Sequence, residues 1–164
     1  MPGLDSGDLE RLYRSSRDDV FAYVAGMLHD RAGAEDVTAL AFERAFRSRG
    51  RFDAKRGDPR SWLFGIARNA ALDELRRRSR GEVLDAEPER ISDAGAGDNG
   101  EDLARRETLR EALARLPQAD RELVVLKFHA GLANGEIAAV VGMSESNVGT
   151  RLHRSLGRLK EHLA

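Results

Sequence analysis

The chain has 164 residues, a formal net charge of −1 and 41% hydrophobic residues, which is typical of a folded globular protein. It contains no cysteine, which excludes disulfides, thiolate nucleophiles and zinc fingers, and its four histidines have no metal-ligand spacing, so we expect neither a metal nor a cofactor. No targeting signal is evident and the apolar runs are too short to span a bilayer, so the sequence predicts a cytoplasmic protein without membrane contact.

Apolar residues recur at helical spacing from the start of the chain. A first helix is predicted from Leu9, Leu12, Tyr13, Val20, Phe21, Val24 and Leu28. After a break at residues 30–33, a second helix is predicted to begin near Ala34, with an apolar set of Val37, Leu40, Ala41, Ala45 and Phe46. Strand patterns are absent, so the predicted fold class is all-α.

A third helix is predicted after a polar loop over residues 48–58. Asp58 is suited to cap it, and Pro59 to open it, and the pattern continues to about Arg80. Its predicted core residues are Trp62, Leu63, Ile66, Ala67, Ala70 and Leu75, and its predicted outer residues are Arg60, Arg68, Asn69, Arg76, Arg77 and Arg78. For Trp62, core packing is favoured over base stacking.

Charge is segregated along the chain. Residues 44–80 hold twelve Arg or Lys against four Asp or Glu, whereas residues 82–102 hold eight acidic residues against Arg90 alone. The acidic stretch also contains three glycines, one proline and almost no apolar periodicity, which is typical of a flexible linker. We therefore predict two small helical domains, residues 1–80 and 102–164, joined by a flexible acidic linker over residues 81–101.

The C-terminal segment from Asn134 has the spacing of a helix-turn-helix. Ala138 is small enough to let two helices approach, and Gly142 permits a turn with positive φ. Val148 is predicted to fill the core between the two helices. Ser144 can cap the second helix. The buried stripe of that helix is predicted to be Val148, Leu152, Ser155, Leu156 and Leu159. A helical hairpin without DNA-binding activity could show the same spacing.

The opposite face of this last helix is polar and cationic. Ser146, Asn147, Thr150 and Arg154 lie on it, with Arg151 and His153 on its flanks. These side chains are suited to base edges and phosphates in a major groove. The segment therefore predicts a contact with duplex DNA, whereas Arg158 and Lys160 are interpreted as a solvated helix end.

Several segments carry a family resemblance, in a fixed order and over nearly the whole chain outside the linker. In the first half these are Ala34–Val37, Phe42–Phe46, Phe52–Asp53, Pro59–Ala70 and Asp73–Arg78, and in the second half Leu116–Pro117, Gly131–Leu132, Glu136–Ala138 and Arg151–Arg154. With these motifs the chain resembles the extracytoplasmic-function (group IV) sigma factors of bacterial RNA polymerase. The resemblance implies a monomeric protein that is not an enzyme and directs transcription initiation.

The resemblance also implies partners and site residues. Residues 1–80 would form sigma region 2, which binds the coiled-coil of the polymerase clamp, and residues 102–164 would form region 4, which reads the minus-thirty-five element and meets the polymerase flap. Clamp contacts would fall on Asp36, Leu40, Glu43 and Arg44. Capture of the melted minus-ten non-template strand would fall on Arg56, Arg60, Arg68, Asn69 and Arg76. Minus-thirty-five recognition would fall on Ser146, Asn147, Thr150, Arg151 and Arg154. An anti-sigma factor is a further implied partner.

Two positions depart from the family pattern. Ala39-Leu40 stands where the family usually has Gln-Glu, so clamp binding is either weaker or supported by an apolar contact from Leu40. Gly149 stands where a Lys is usual, which costs helix propensity and one phosphate contact.

Two alternatives remain at the level of sequence. A free-standing helix-turn-helix regulator would use only the C-terminal segment, but it leaves the Arg-rich first half unexplained. A metal-dependent nuclease would need ligands such as Asp53, Asp58 and Asp73, which lack His or Glu partners at ligand spacing.

Overall fold

The computed structural model describes residues 3–81 and 100–163, so the predicted acidic linker lies almost entirely outside the described residues. Seven α-helices occur in these ranges: α1 Ser6–Leu28, α2 Arg31–Ser48, α3 Pro59–Ser79, α4 Gly100–Arg115, α5 Gln118–Phe128, α6 Asn134–Val141 and α7 Glu145–Leu163. Two short 3₁₀ turns, Arg49–Arg51 and Ala54–Arg56, lie between α2 and α3. No strand occurs in either range, which confirms the all-α prediction.

Helices α1 to α3 form the first domain, and local signals set their ends. The Asp58 carboxylate accepts a hydrogen bond from the backbone N–H of Ser61 over 2.7 Å, and Pro59 follows at the first helical position, as predicted. Helix α1 ends where His29 takes a left-handed conformation with φ of 53°. Helix α2 begins at Arg31, earlier than the predicted start near Ala34, because only His29 and Asp30 are needed for the turn.

The core of the first domain follows the predicted spacing with three exceptions. Val20, Val24, Leu63 and Ala67 are buried, and so is Phe64, which the sequence had not indicated. Tyr13, Leu40 and Phe46 belong to the apolar sets from which α1 and α2 were predicted, but they are 40%, 37% and 49% exposed. Helical spacing identifies an apolar face but not which part of it meets a neighbour, so the spacing alone did not decide the burial of these three residues.

Helices α4 to α7 form the second domain and include the predicted helix-turn-helix. Gly142 ends α6 with φ of 74°, and its N–H donates to the Ala138 carbonyl. Ser144 Oγ accepts from the Asn147 backbone N–H over 3.1 Å, which confirms the cap of α7. The predicted buried stripe is confirmed for Val148, Leu152, Ser155 and Leu159, and Leu156 packs against it while partly exposed.

The two domains pack against each other, which the sequence did not predict. Helices α5 and α6 of the second domain contact α1 and α3 of the first. The buried apolar residues of both domains consequently form one continuous cluster. Within the described ranges, no helix is long and apolar enough to cross a membrane, and no group of acidic or histidine side chains could hold a metal ion.

Candidate nucleic-acid and polymerase interfaces

The outer face of α7 carries the polar side chains that the sequence assigned to DNA. Ser146, Asn147, Thr150 and Arg154 are all exposed. They lie opposite the buried stripe, because residues three or four apart share a helix face and the stripe occupies the other side. The Thr150 hydroxyl donates to the Ser146 carbonyl over 3.1 Å, which orients it along the helix surface. This face offers neutral hydrogen-bonding groups beside one exposed guanidinium.

Arg151 and Arg158 differ from Arg154 because the first turn of α5 restrains them. Arg151 Nη2 lies 2.9 Å from Asp120 Oδ1, and Arg158 Nη1 lies 3.5 Å from Asp120 Oδ2. The Asp120 side chain is only 13% exposed, so this pair of contacts ties α7 to α5. Arg158, interpreted from sequence as solvated, therefore has an ion-pair partner, and Arg151 lies at the edge of the readable face.

The residues assigned to the minus-ten strand separate onto two sides of α3. Asn69 and Arg76 are seven residues apart, about two helical turns, and both are exposed on one side. Arg60 and Arg68 are also about two turns apart but face the second domain. The set that the sequence treated as one surface is thus divided in this structure.

A cleft adjoins Asn69 where the end of α2 meets α3. Its volume is about 260 Å³, and its lining residues are Arg44, Arg47, Ser48, Ile66 and Asn69. Asp73 joins the two helices below it, with one carboxylate oxygen 3.4 Å from Arg44 and the other 3.3 Å from Arg76. The cleft combines an apolar side chain, a neutral amide and two guanidinium groups. Sequence analysis did not assign Arg47, Ser48 or Ile66 to this site, since only the crossing of α2 and α3 brings them beside Asn69.

Arg60 and Arg68 are 28% and 27% exposed, and both donate hydrogen bonds to the second domain. Arg60 Nη2 contacts the Ala130 carbonyl and also lies 2.9 Å from Asp19 Oδ2. Arg68 Nε donates to Glu122 Oε1 over 2.8 Å. Sequence analysis placed both arginines on the outer face of α3, whereas in the structure α6 packs against α3 and both arginines contact the second domain through Glu122 and Ala130.

Glu122 is the buried centre of this contact and was missed by sequence analysis. It is 4% exposed, and its second oxygen accepts a hydrogen bond from the Tyr23 hydroxyl over 3.2 Å. Burial raises the pKa of Tyr23 well above its ordinary value, and the nearby Glu122 carboxylate adds to the increase. Tyr23 and Glu122 are 99 residues apart, so no local pattern could have paired them.

The residues assigned to the polymerase clamp lie along α2. Asp36, Leu40 and Glu43 are exposed and follow one another at helical spacing, whereas Arg44 is half-buried toward Asp73. Leu40 and Phe46 leave apolar surface uncovered on this helix, and the Arg49 guanidinium lies 4.0 Å from the centre of the Phe46 ring. The exposure of Leu40 is compatible with an apolar contact in place of the usual polar pair.

The segment between α2 and α3 presents Arg56 to solvent. The Arg56 side chain is 90% exposed and 4.0 Å from Asp53, a weak surface pair. Trp62 packs edge-on against Phe52 with ring centroids 5.6 Å apart, so its ring supports the loop.

Two family models match the chain. Sigma-70 region 2 matches residues 12–81, and sigma-70 region 4 matches residues 106–159. The RNA polymerase sigma factor CarQ of Myxococcus xanthus is 34% identical over 155 residues, covering 94% of this chain and 88% of CarQ. The ECF RNA polymerase sigma factor BldN of Streptomyces coelicolor is 33% identical over 156 residues, covering 91% of this chain. The match spans 58% of the BldN length.

Solved structures show the same fold. The sigma factor RpoE of Bartonella quintana, solved in complex with the anti-sigma factor NepR, aligns with a TM-score of 0.79 at 24% identity over 95% of this chain and 96% of that one. CnrH, solved in complex with the cytosolic domain of CnrY, aligns with a TM-score of 0.71 at 24% identity over 97% of this chain and 89% of that one. From the two region matches and these relatives, the chain belongs to the extracytoplasmic-function sigma factors, which bind core RNA polymerase and promoter DNA to direct transcription initiation.

Proposed function

We propose that this chain reads the minus-thirty-five element through α7 and captures the melted minus-ten strand through α3, with no catalytic chemistry of its own. The observation that carries the proposal is the exposed face of α7. Asn147, Thr150 and Arg154 are exposed on a helix whose other side is buried in the core, which is the arrangement that major-groove recognition requires. Arg154 supplies a bidentate donor for a guanine edge, and Asn147 can pair with adenine.

The cleft beside Asn69 supports the minus-ten assignment. A base that leaves the stack needs an apolar surface, hydrogen-bonding groups for its edge and cations for the flanking phosphates. Ile66, Asn69 and the guanidinium groups of Arg44 and Arg47 provide these around one cleft. Arg76, on the same side of α3, and Arg56, in the preceding loop, extend the cationic path for the strand. This assignment adds Arg47 to the predicted set and gives Arg44 a second role.

Docking on core polymerase is assigned to the exposed side of α2. Asp36 and Glu43 offer carboxylates on either side of Leu40, which is 37% exposed. A leucine between two acids favours a partner with a basic and apolar surface, as a coiled-coil offers. Contact with the polymerase flap is assigned to the second domain on the basis of the family resemblance.

An anti-sigma factor is proposed as the regulatory partner. The support is indirect: the solved relatives RpoE and CnrH are each described in complex with another protein, NepR and the cytosolic domain of CnrY. The proposal further places the chain in the cytoplasm, as a monomer until it meets core polymerase.

The test is promoter selection with and without core polymerase. A randomised duplex library would be incubated with the chain alone and with the chain plus core polymerase, and bound fragments would be sequenced and transcribed. We expect enrichment of two spaced elements and transcription downstream of them only when core is present. Tight selection of a single duplex element by the chain alone, unchanged by core, would instead identify a free-standing regulator.

A further inference from the structure

The side of α7 that is assigned to the major groove lies between two flanks with different side chains. One flank carries Arg151 and Arg158, which the first turn of α5 restrains. The other carries Glu145, Gly149 and His153, which follow one another at intervals of four residues and therefore share one side of the helix. We call this second side the α6 flank, because α6 borders it. None of its three residues is an arginine or a lysine, so the two flanks differ in charge.

A helix in the major groove brings both of its flanks close to phosphates. An α-helix with its side chains is about 10–12 Å across, and the groove is about 12 Å wide. One flank therefore borders one strand of the duplex, and the other flank borders the second strand. Two guanidinium groups are available for phosphates on the α5 side. Of the three residues on the α6 flank, His153 alone carries a side-chain donor, so further donors must come from the neighbouring helix.

Helix α6 supplies such a donor at its first residue, Asn134. This is the one residue of α6 whose side chain carries N–H groups. A Cβ placed on Gly149 would lie 3.7 Å from Asn134 Nδ2, in ordinary van der Waals contact. A longer side chain at position 149 would therefore extend over the amide, whereas glycine leaves a space beside it. We call this space the Gly149 notch, and it opens the Asn134 amide toward the α6 flank.

The orientation of the Asn134 amide restricts the groups that it can bind. Asn134 is half-buried, and Oδ1 is a buried atom for which the described residues supply no hydrogen-bond donor. With its oxygen turned inward, the amide can offer only its N–H groups to a partner outside. The paired donor and acceptor that asparagine uses to read adenine are thus not both available. A phosphate oxygen needs a donor alone, so it is the DNA group that this amide fits.

The acidic side chain of the α6 flank is held against α6. Glu145 Oε2 would lie 3.6 Å from a Cβ on Gly135, in the first turn of that helix. A carboxylate is favoured there because the N-terminal end of a helix dipole is positive. The charge of Glu145 is therefore partly offset beside the Gly149 notch, and a phosphate at the notch does not face an uncompensated carboxylate.

From these contacts we infer that Asn134 is a further DNA-binding residue of the second domain, and that its amide donates through the Gly149 notch to a phosphate of the strand that borders the α6 flank. The inference rests on the proposed role of α7 in minus-thirty-five recognition. A phosphate contact adds affinity without sequence preference. Because the donor is neutral, it displaces no counterion and leaves the salt dependence of binding unchanged.

Asn134→Ala tests this contact in the complex of the full chain with core polymerase. The probe is a fluorescent promoter duplex recovered by selection with the unmodified chain and core, together with its single-base variants, each titrated at several salt concentrations. We expect binding to weaken about threefold to tenfold for every duplex, as for the loss of one hydrogen bond, with an unchanged salt slope. Unchanged affinity, or a loss confined to one base pair, would overturn the phosphate contact.

A matched pair of lysine variants tests the notch. In a Gly149→Lys chain, the lysine stem should cover the Asn134 amide and its ammonium should take the phosphate, so a second change of Asn134→Ala should weaken binding less than about twofold. Gly157→Lys adds the same charge to α7 at an exposed glycine whose Cβ would meet nothing within 4 Å. In that background Asn134→Ala should keep its full effect. Equal losses in the two backgrounds would refute the role of the notch.

Asn134→Asp separates DNA contact from a structural role. The aspartate keeps the size of the side chain and places a carboxylate in the first turn of α6, where the helix dipole favours it. Thermal unfolding of this variant should therefore occur at or above the temperature of the unmodified chain, while its DNA binding should be weaker than that of Asn134→Ala because the carboxylate repels the phosphate. Binding equal to that of the unmodified chain, or a parallel fall in unfolding temperature and affinity, would reject the contact.

Arg154→Ala, measured on the same duplexes, distinguishes failure of this inference from failure of the proposed function. A loss of affinity with Arg154→Ala but none with Asn134→Ala would reject the Asn134 contact and leave recognition by α7 in place. No loss with either variant would reject both.

Discussion

Arg78 and Asp30 join the last turn of α3 to the residue that precedes α2, with Arg78 Nη2 2.6 Å from Asp30 Oδ2 and both side chains less than 20% exposed. Gly33 makes room for the pair, because a Cβ at that position would overlap both partners. Burial raises the pKa of Asp30, but the backbone N–H of Gly33 and the Arg78 guanidinium outweigh it and hold the pKa below its ordinary value.

Loss of this pair should destabilise the first domain. We expect Asp30→Asn to lower the free energy of unfolding by about 1–3 kcal/mol at pH 7, because it leaves Arg78 without one of its charged partners. A folded pKa below the unfolded one gives stability that is present above the ordinary carboxyl range and lost as pH falls through the folded pKa. Urea denaturation at pH 7 and near pH 3 measures both effects. On acidification, Asp30→Asn should lose less of its free energy of unfolding than the unmodified chain does.

The control for this variant is Asp18→Asn, which removes a carboxylate that is 94% exposed and 3.6 Å from Arg17. Such surface pairs contribute about 0–1 kcal/mol. A difference of less than about 0.5 kcal/mol between the two variants would contradict a stabilising role for Asp30.

Asn69→Ala separates strand capture from electrostatic attachment, because it removes no charge. We expect polymerase docking and closed-complex formation to be intact and promoter opening to be reduced, since a flipped base loses its partner in the cleft. A premelted minus-ten bubble should rescue only part of the defect. Unchanged transcription from both duplex and premelted templates would mean that Asn69 is an ordinary helix-surface residue.

Arg154→Ala distinguishes base recognition from phosphate contact on α7. If Arg154 reads a base, the variant should lose about 1–3 kcal/mol of promoter affinity and relax the preference at one minus-thirty-five position. Binding of the polymerase complex to a set of single-base promoter variants gives this profile. A uniform loss of affinity over all sequences, with a shallower salt dependence, would instead make Arg154 a contact to the DNA backbone. We expect that uniform loss for Arg158→Ala.

Two glycines of the helix-turn-helix should respond to alanine with opposite signs. Gly157 is exposed within α7, and a Cβ there meets nothing within 4 Å, so Gly157→Ala should stabilise the protein by about 0.5–1 kcal/mol. Gly142→Ala should destabilise it by about 1–2 kcal/mol, because φ of 74° is strained for alanine although the space is open. Thermal unfolding of both variants is the measurement, and shifts of the same sign would contradict the argument.

The local elements were predictable because their causes are local. Asp58 caps α3 by a hydrogen bond to a residue three positions away, and Gly142 adopts a positive φ because it has no side chain. Val148 and Leu152 are four residues apart and therefore share one helix face. The exposure of Leu40 and Phe46 has a different origin. Their spacing correctly indicated an apolar face of α2, but only a neighbouring element could have buried it.

The sequence by itself determined the three helices of the first domain, the helix-turn-helix with its buried stripe, and the polar face of α7, because each depends on residues within a few turns of one another. Only the tertiary structure decided what Arg60 and Arg68 contact. An exposed arginine and one paired to a distant carboxylate have the same local pattern, and the partners Tyr23 and Glu122 are 99 residues apart. Tyr23 and Glu122 come together where α1 and α5 pack closely at Gly26 and Val125. A packing contact between domains leaves no periodic pattern in the sequence of either helix.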